Sequence, residues 1–225
     1  NNGIILKTTT GGELPRSVSG TVKFSDNNQP VASGYVKALT YDSISHEIIT
    51  VDSAQIQPNG LYSLPNCPPV YIDIMAYEND EEELSFVPTY HLSSISWQGS
   101  VKVKPDSNLT NIDIGVKRIV NNGSNMKISG YVYSNYSFDY TGLKDAIIYA
   151  KSGDTYKGYS ISLSNGYYSI DSLPAGSYNL YVDRMGCVSA ENTVQLVSSS
   201  LDNINFYLDE YLVPVITHTN EIQEK

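Results

Sequence analysis

A repeated hexapeptide constrains the fold of this chain more than any other feature of its sequence. Asn59-Gly60-Leu61-Tyr62-Ser63-Leu64 returns as Asn165-Gly166-Tyr167-Tyr168-Ser169-Ile170. An Asn-Gly pair readily adopts the positive φ angles of a tight turn, and the residues after it alternate as in a half-buried strand. Each copy therefore predicts a β-hairpin, and the repetition predicts a duplicated domain.

The repeat extends to both sides of the hexapeptide. Val18-Ser19-Gly20-Thr21-Val22 matches Ile128-Ser129-Gly130-Tyr131-Val132, and Leu109-Thr110-Asn111-Ile112-Asp113-Ile114 matches Leu201-Asp202-Asn203-Ile204-Asn205-Phe206. Both copies thus open and close on strand-like segments. We predict an apolar N-terminal arm (1–16), a first domain (17–118) with an insertion at 78–100, a linker (119–125), a second domain (126–210) and a C-terminal tail (211–225).

The segments between these motifs have the composition of an all-β protein. Short runs rich in β-branched and aromatic residues, such as 71–75 and 178–182, alternate with turn residues. No segment shows the periodicity of an amphipathic helix. Since 225 residues divide into two units of ordinary domain size, we predict two tandem β-sandwiches.

The net charge of −10 narrows the range of partners. An acidic surface disfavours the phosphate backbone of nucleic acids and anionic membranes, so neither is an expected ligand. The sequence has no apolar run as long as a membrane span and no secretory signal segment. We therefore expect a mature or trimmed soluble chain that is compatible with secretion.

Groups that could support catalysis are scattered. The three histidines, His46, His91 and His218, form no zinc-binding motif, and no nucleophile elbow, phosphate-binding loop or dinucleotide fingerprint is present. A nucleophile formed by Cys67 with His91 stays open, because catalytic groups assemble in space rather than in sequence. The sequence favours a protein that is not an enzyme and that needs neither metal nor cofactor.

Two cysteines occur, Cys67 in a proline-rich loop and Cys187 after a strand of the second copy. They occupy non-equivalent positions in the repeat, so the repeat itself predicts no disulfide within a domain. Three states remain open: two free buried thiols, one bridge between the domains, or bonds between molecules.

The order of these motifs resembles a known family. The chain is similar to the carboxypeptidase regulatory-like or transthyretin-like (Cna-B-like) β-sandwich. The motifs that carry this resemblance are the first strand with its Ser-Gly pair, the Asn-Gly-x-Tyr-Ser motif, the Leu173-Pro174-Ala175-Gly176 turn and the final Asn-Ile strand. This resemblance implies a seven-stranded Greek-key domain of the immunoglobulin-like or prealbumin-like type, common in tandem in secreted bacterial surface proteins. It also implies a structural, accessory or adhesive role. The first copy departs from the family at 64–69, where Leu-Pro-Asn-Cys-Pro-Pro replaces the Leu-Pro-x-Gly turn.

Five carboxylates lie close together at the start of the insertion: Glu78, Asp80, Glu81, Glu82 and Glu83. Calcium loops place oxygen ligands at alternate positions and turn at a glycine, and this run does neither. We interpret it as a solvated loop, with a weak cation site as the alternative.

Tyrosine is over-represented, with 19 residues against four phenylalanines and one tryptophan. Strand alternation places Tyr131 and Tyr133 on the face that points away from the core. Such rings can support neighbouring strands, mediate self-association or stack on sugars. We predict that Tyr131, Tyr133, Tyr90 and Trp97 form a ligand or contact face, with polysaccharide as the candidate ligand.

Two apolar, β-prone segments outside the repeat are candidate assembly arms. Their apolar residues are Ile4, Ile5 and Leu6 in the N-terminal arm and Leu212, Val213, Val215 and Ile216 in the C-terminal tail. Each segment could add an edge strand to its own domain or pair with the open edge of a neighbouring molecule. Pairing between molecules would propagate head to tail into filaments.

Together these features predict a non-enzymatic extracellular or cell-surface structural protein, such as a stalk, an adhesin segment or a filament subunit. Its expected partners are copies of itself or neighbouring β-sandwich modules. The alternative is a carbohydrate- or surface-binding accessory module of a secreted multidomain enzyme.

Overall fold

The computed structural model describes residues 14–78, 84–121, 123–135 and 140–211. Within these ranges the chain forms fifteen β-strands and a single 3-10 turn, Trp97–Gly99. None of the described residues belongs to a helix long and apolar enough to cross a bilayer. The predicted all-β sandwich fold is confirmed.

The first sandwich has eight strands. They are β1 (Arg16–Phe24), β2 (Tyr35–Asp42), β3 (Glu47–Gln55), β4 (Leu61–Cys67), β5 (Asp73–Tyr77), β6 (Phe86–Val87), β7 (Thr89–Tyr90) and β8 (Ile114–Arg118). One sheet has the order β4-β1-β8-β6 and the other has the order β3-β2-β5-β7. The short strands β6 and β7 come from the insertion of the first copy, and each adds an edge to one sheet.

The second sandwich has seven strands. They are β9 (Met126–Ser134), β10 (Ile147–Ser152), β11 (Thr155–Ile161), β12 (Tyr167–Leu173), β13 (Gly176–Asp183), β14 (Ala190–Leu196) and β15 (Phe206–Leu208). The sheets have the orders β12-β9-β15 and β11-β10-β13-β14. In both sandwiches the first strand pairs in parallel with the last strand, so the repeat closes in the same way twice.

The prediction of a β-hairpin at each Asn-Gly pair is wrong. β3 and β4 belong to different sheets, as do β11 and β12, so the turn carries the chain from one sheet to the other. The local chemistry is as expected: Gly60 and Gly166 have φ angles of 82° and 83°. Oδ1 of Asn59 and of Asn165 accepts from the N–H two residues later, at 3.2 and 3.0 Å. Turn chemistry alone does not specify which strand the next segment pairs with.

The repeated tyrosine holds the segment after this turn in place. Tyr62 and Tyr168 point into their cores, and each hydroxyl donates to the carbonyl oxygen of an isoleucine before the last strand. The distances are 2.6 Å to Ile112 and 2.7 Å to Ile204. Because a buried hydroxyl needs a partner, this bond ties the hexapeptide to the closing strand in both domains.

Each sandwich encloses its own apolar core. Val22 and Leu64 are buried in the first core, and Val132 and Ile170 hold the matching places in the second. Inward and outward residues alternate along β1 and β9, as expected of strands with one buried face.

A third core lies between the sandwiches. On β5, Ile74 faces the first core, whereas Met75 and Tyr77 face the second sandwich. On β10, Ile148 faces the second core, whereas Tyr149 faces the first sandwich. Sheets β3-β2-β5-β7 and β11-β10-β13-β14 are therefore covered on both faces, and the four sheets stack in layers.

Candidate functional site: the domain interface and the outer tyrosine face

The third core, here called the domain interface, is built mainly of aromatic and large aliphatic side chains. Its buried members are Leu39, Met75, Tyr77, Val87 and Tyr90 of the first sandwich and Ile147, Tyr149, Tyr159 and Met185 of the second. Burial of one such side chain stabilises a contact by about 1.5–3 kcal/mol. The interface therefore resembles the core of a domain more than a transient contact.

Buried tyrosine hydroxyls give the domain interface directed contacts. Tyr149 is fully buried and donates to the carbonyl oxygen of Pro88 at 3.0 Å. Tyr159 donates to the carbonyl oxygen of Glu78 at 2.8 Å. Burial raises the pKa of both hydroxyls, so both stay protonated donors. These two bonds restrict how one sandwich can turn on the other.

Trp97 connects the insertion of the first sandwich to the second sandwich. Its backbone N–H donates to Oδ2 of Asp183 at 3.0 Å, and its indole Nε1–H donates to the carbonyl oxygen of Cys187 at 3.0 Å. Nε2 of Gln98 donates to the same carbonyl at 3.0 Å. The ring of Tyr211 meets the indole edge-on, with 5.1 Å between the ring centroids.

The loop after β13 fits closely against the first sandwich. The buried guanidinium of Arg184 donates to the carbonyl oxygens of Lys144, at 2.8 Å, and of His46, at 3.1 Å. Gly186 has a φ angle of 84°, and a Cβ atom there would overlap the ring of Tyr41. Glycine is therefore required at this position both by the backbone conformation and by the approach of the first sandwich.

The connection between the sandwiches is also held in place. The N–H of Val120 donates to the carbonyl oxygen of Tyr156 at 2.9 Å, and Nζ of Lys157 donates to the carbonyl oxygen of Val120 at 2.9 Å. One residue earlier, the N–H of Ile119 donates to the carbonyl oxygen of Ser85 at 2.8 Å. Ile119 and Val120, between β8 and β9, thus bond to both sandwiches and have little freedom as a hinge.

Two carboxylates are buried on the strands that face the domain interface. Asp183 has no exposed surface, and burial raises its pKa to about 7. Asp73 is 1% exposed, and its Oδ2 accepts from Nζ of Lys102 at 2.9 Å. The negative charge of Asp73 contributes to the raised pKa of Asp183, which places the two groups within electrostatic reach across the interface.

Five tyrosines form a second aromatic surface, here called the outer tyrosine face, on the exposed side of sheet β12-β9-β15. They are Tyr131 and Tyr133 of β9, Tyr167 of β12, Tyr207 of β15, and Tyr140. Ring centroids are 5.8 Å apart between Tyr131 and Tyr133 and 5.4 Å apart between Tyr133 and Tyr207. Tyr140 and Tyr207 are about half exposed, so their hydroxyls and ring edges are available to a partner.

The first sandwich lacks this surface although it has the same sheet. Thr21, which pairs with Leu61, occupies the position equivalent to Tyr131, which pairs with Tyr167. Lys23, which pairs with Gly115, occupies the position equivalent to Tyr133, which pairs with Tyr207. The fold therefore forms without tyrosines at these four places.

The residues of the predicted contact face are divided between these two surfaces. Tyr90 and Trp97 lie at the domain interface, and Tyr131 and Tyr133 lie on the outer tyrosine face. Sequence reasoning missed Tyr149, Tyr159 and Asp183. The unbroken apolar run at 147–150, which is typical of a strand buried on both faces, could have identified Tyr149, but it gives no signal for Tyr159 or Asp183.

The two cysteines are free and lie in different cores, Cys67 in the first and Cys187 in the second. Burial raises the pKa of Cys67 to about 12, which disfavours the thiolate that a nucleophile requires. Nδ1 of His91 lies 2.8 Å from the carbonyl oxygen of Asp113 and must donate to it, because a carbonyl only accepts. The arrangement offers no support for a Cys67–His91 nucleophile.

For Glu78 the interpretation as part of a solvated loop is wrong. Its side chain is buried and accepts from the N–H and Oγ of Ser85, both at 2.6 Å, and from the N–H of Phe86 at 3.0 Å. Glu78 thereby closes the base of the loop. Asp80, Glu81, Glu82 and Glu83 lie outside the described residues.

Within the described ranges, no three His, Cys, Asp or Glu side chains are grouped so that they could hold a metal ion. The candidate assembly arms, with Ile4, Ile5 and Leu6 and with Leu212, Val213, Val215 and Ile216, lie outside the described residues.

No protein-family model and no curated protein matches the chain. Among solved structures it is similar to a type II cohesin–X-dockerin complex from Acetivibrio cellulolyticus, with 15% identity over 37% of this chain and 56% of that one and a TM-score of 0.30. It is similar to the Bacillus anthracis TIE protein, with 12% identity over 88% of this chain and 34% of that one and a TM-score of 0.31. It is also similar to a minor pilin of Streptococcus agalactiae, with 11% identity over 88% of this chain and 98% of that one and a TM-score of 0.34. The chain thus spans about a third to just over half of the length of the first two.

Proposed function

We propose that this chain is a non-enzymatic structural segment of an extracellular surface protein, in which two β-sandwiches form one rigid unit. The observation that carries this proposal is the domain interface, with its buried aromatic side chains and directed hydrogen bonds. Two domains on one chain reorient relative to each other unless the contact between them is large and apolar. A rigid pair maintains a fixed reach and orientation, which is what a stalk or filament subunit requires.

The cellular part of the proposal is tested on the source cells. An antibody raised against the folded chain should label intact cells as strongly as permeabilised cells. Added protease should remove the label from intact cells. Labelling that requires permeabilisation would contradict an extracellular structural role.

Assembly by strand addition is the finer form of this proposal. β14 is an edge strand, bonded only to β13 within the described sheets, and Glu191, Asn192 and Thr193 along it are exposed. An extended arm from a second molecule could pair with such an edge. Ile4, Ile5 and Leu6 are the candidate donors, with the C-terminal tail as the second source.

The assembly proposal is tested by electron microscopy and size-exclusion chromatography of the full chain across a concentration series. We expect head-to-tail polymers that disappear when residues 1–10 are deleted. A triple change of Ile4, Ile5 and Leu6 to serine keeps the chain length and should have the same effect. A full-length chain that stays monomeric at every concentration would contradict strand addition.

A second candidate function, binding of a neutral polysaccharide, is favoured by the outer tyrosine face. The first sandwich forms the equivalent sheet with Thr21 and Lys23, so a sheet of this topology does not require tyrosines at these positions. Tyrosine combines an apolar ring with a hydroxyl that can bond to sugars. The net charge of −10 disfavours acidic glycans.

The matched variant for this second function is Tyr131→Thr with Tyr133→Lys, which installs the residues of the first sandwich. We expect the chain to be retarded in affinity gels that contain a neutral polysaccharide. The variant should fold normally and lose about five- to 150-fold in affinity, because two stacked aromatic contacts contribute about 0.5–1.5 kcal/mol each. Equal migration of both proteins would remove this candidate.

A further inference from the structure

Ser189 lies between two acceptors at the edge of the domain interface. Its Oγ is 3.0 Å from Oδ1 of Asp183 and 3.1 Å from Oε1 of Gln98, which belongs to the first sandwich. The orientation of the Gln98 amide is determined by its Nε2, which donates to the carbonyl oxygen of Cys187. The oxygen of Gln98, and not its nitrogen, therefore faces Ser189.

The number of protons decides which of these contacts can form together. A serine hydroxyl carries one hydrogen, so it can donate to Asp183 or to Gln98 but not fully to both. If the Asp183 carboxyl is protonated, its O–H donates to Ser189, and Ser189 donates to Gln98. If Asp183 is ionised, the hydroxyl of Ser189 turns to the carboxylate, and the bond to Gln98 across the interface is lost.

We propose that Asp183 is a proton-operated latch between the two sandwiches, protonated when the domain interface is closed and weakening the interface when its proton is lost to solvent. This inference deepens the proposed function, because it rests on the rigid interface described above. It concerns how firmly the two sandwiches are held and leaves the fold of each unchanged.

The surroundings of Asp183 favour the neutral carboxyl. The titratable groups that interact electrostatically with Asp183 are Asp73 of β5, Tyr90 of β7, Tyr149 of β10, Tyr181 of β13 and Cys187 of the following loop. Two cations lie beside these groups, Lys102 at Asp73 and Arg184 at Cys187. Lys102 is paired with Asp73, and Arg184 donates to carbonyl oxygens. Neither cation forms an ion pair with Asp183 within the described part of the chain.

Burial is the main cause that raises the pKa of Asp183 from 3.8 to about 7, against the hydrogen bonds from Trp97 and Ser189, which lower it. When the interface opens, Asp183 lies on an exposed sheet face, where its pKa returns toward the ordinary value. Closing therefore takes up a proton between about pH 4 and pH 7. The contribution of Asp183 to the interface is complete below about pH 4, decreases as the pH rises through this window, and is lost above about pH 7.

Two readouts test the latch in the full chain. Carbon-13 NMR of the aspartate carboxyl carbons reports whether Asp183 titrates near pH 7. Fluorescence of Trp97, the sole tryptophan, reports whether the interface is closed. We expect both signals to change with one midpoint, and we expect the melting temperature to be about 5 °C or more higher at pH 5 than at pH 8.

Asp183→Asn is the decisive variant, because an amide keeps a donor toward Ser189 at every pH. It should abolish the pH dependence of Trp97 fluorescence. His46, whose carbonyl oxygen accepts from Arg184 at the edge of the interface, supplies the control. His46→Asn suits its positive φ angle of 57° and should leave the midpoint unchanged.

Failure of the latch can be distinguished from failure of the rigid unit. An Asp183 carboxyl that remains ionised at pH 5 while Trp97 fluorescence stays that of the closed interface would overturn the latch and leave the rigid unit standing. An exposed Trp97 at every pH would overturn both. The wild-type carboxyl titration decides the question even if Asp183→Asn does not fold.

Discussion

At the scale of the residue, the hydroxyl of Tyr149 is the clearest test of the directed contacts in the domain interface. Tyr149→Phe removes its bond to Pro88 and leaves a buried carbonyl without a partner. We expect the free energy of unfolding to fall by about 1–2 kcal/mol in urea denaturation. Tyr207→Phe makes the same chemical change at a half-exposed position and should change it by less than about 0.5 kcal/mol. Equal effects would show that the interfacial bond contributes nothing.

Features that depend on local chemistry were predictable from the sequence, whereas features that depend on a distant partner were not. The positive φ angles of Gly60 and Gly166 follow from the Asn-Gly pair itself. The positions of the half-buried Trp97 and the buried Glu78 depend instead on contacts with the second sandwich or on closure of the loop, which no local pattern records. Strand alternation placed Tyr131 and Tyr133 outward because it depends only on the residues of β9.

At the scale of the element, the loop after β13 determines how closely the sandwiches approach. Gly186→Ala adds a Cβ that overlaps the ring of Tyr41, in addition to the strain of a positive φ angle. We expect Trp97 fluorescence to shift toward that of an exposed indole, because the loop can no longer fit against the first sandwich. The measurement is an emission spectrum under native conditions.

Gly153→Ala is the matched control for this element. Gly153 also has a positive φ angle, 55°, but a Cβ there meets no neighbouring atom. It should cost about 1 kcal/mol of stability from backbone strain and leave the emission of Trp97 unchanged. If the two variants have the same spectrum, close packing at Gly186 does not hold the interface together.

The strands themselves were predictable, and their partners were only partly so. Alternation identifies β1 and β9, each of which has one buried face. It gives no period for β5 or for the first four residues of β10, because both faces of these strands are buried. Which second layer covers a strand is decided by packing between segments far apart in sequence.

At the scale of the whole molecule, the two sandwiches share one strand arrangement but place different side chains at equivalent positions. Tyr77 of the first sandwich and Asp183 of the second occupy equivalent positions. Tyr77 pairs with Tyr35 of β2, and Asp183 pairs with Ile147 of β10. One position supplies an aromatic ring to the domain interface and the other supplies a buried carboxyl. The internal repeat predicts the fold of each unit, whereas the residues that differ between the copies create the contact that joins them.

The measurement that tests the rigid unit most directly is a distance distribution between spin labels on the two sandwiches. Ile44→Cys and Asp154→Cys place the labels at exposed turns, and the native thiols of Cys67 and Cys187 are buried and should not react. We expect a single narrow distribution for the full chain, because the domain interface holds one orientation. A broad distribution, as expected of two domains on a flexible linker, would contradict the account.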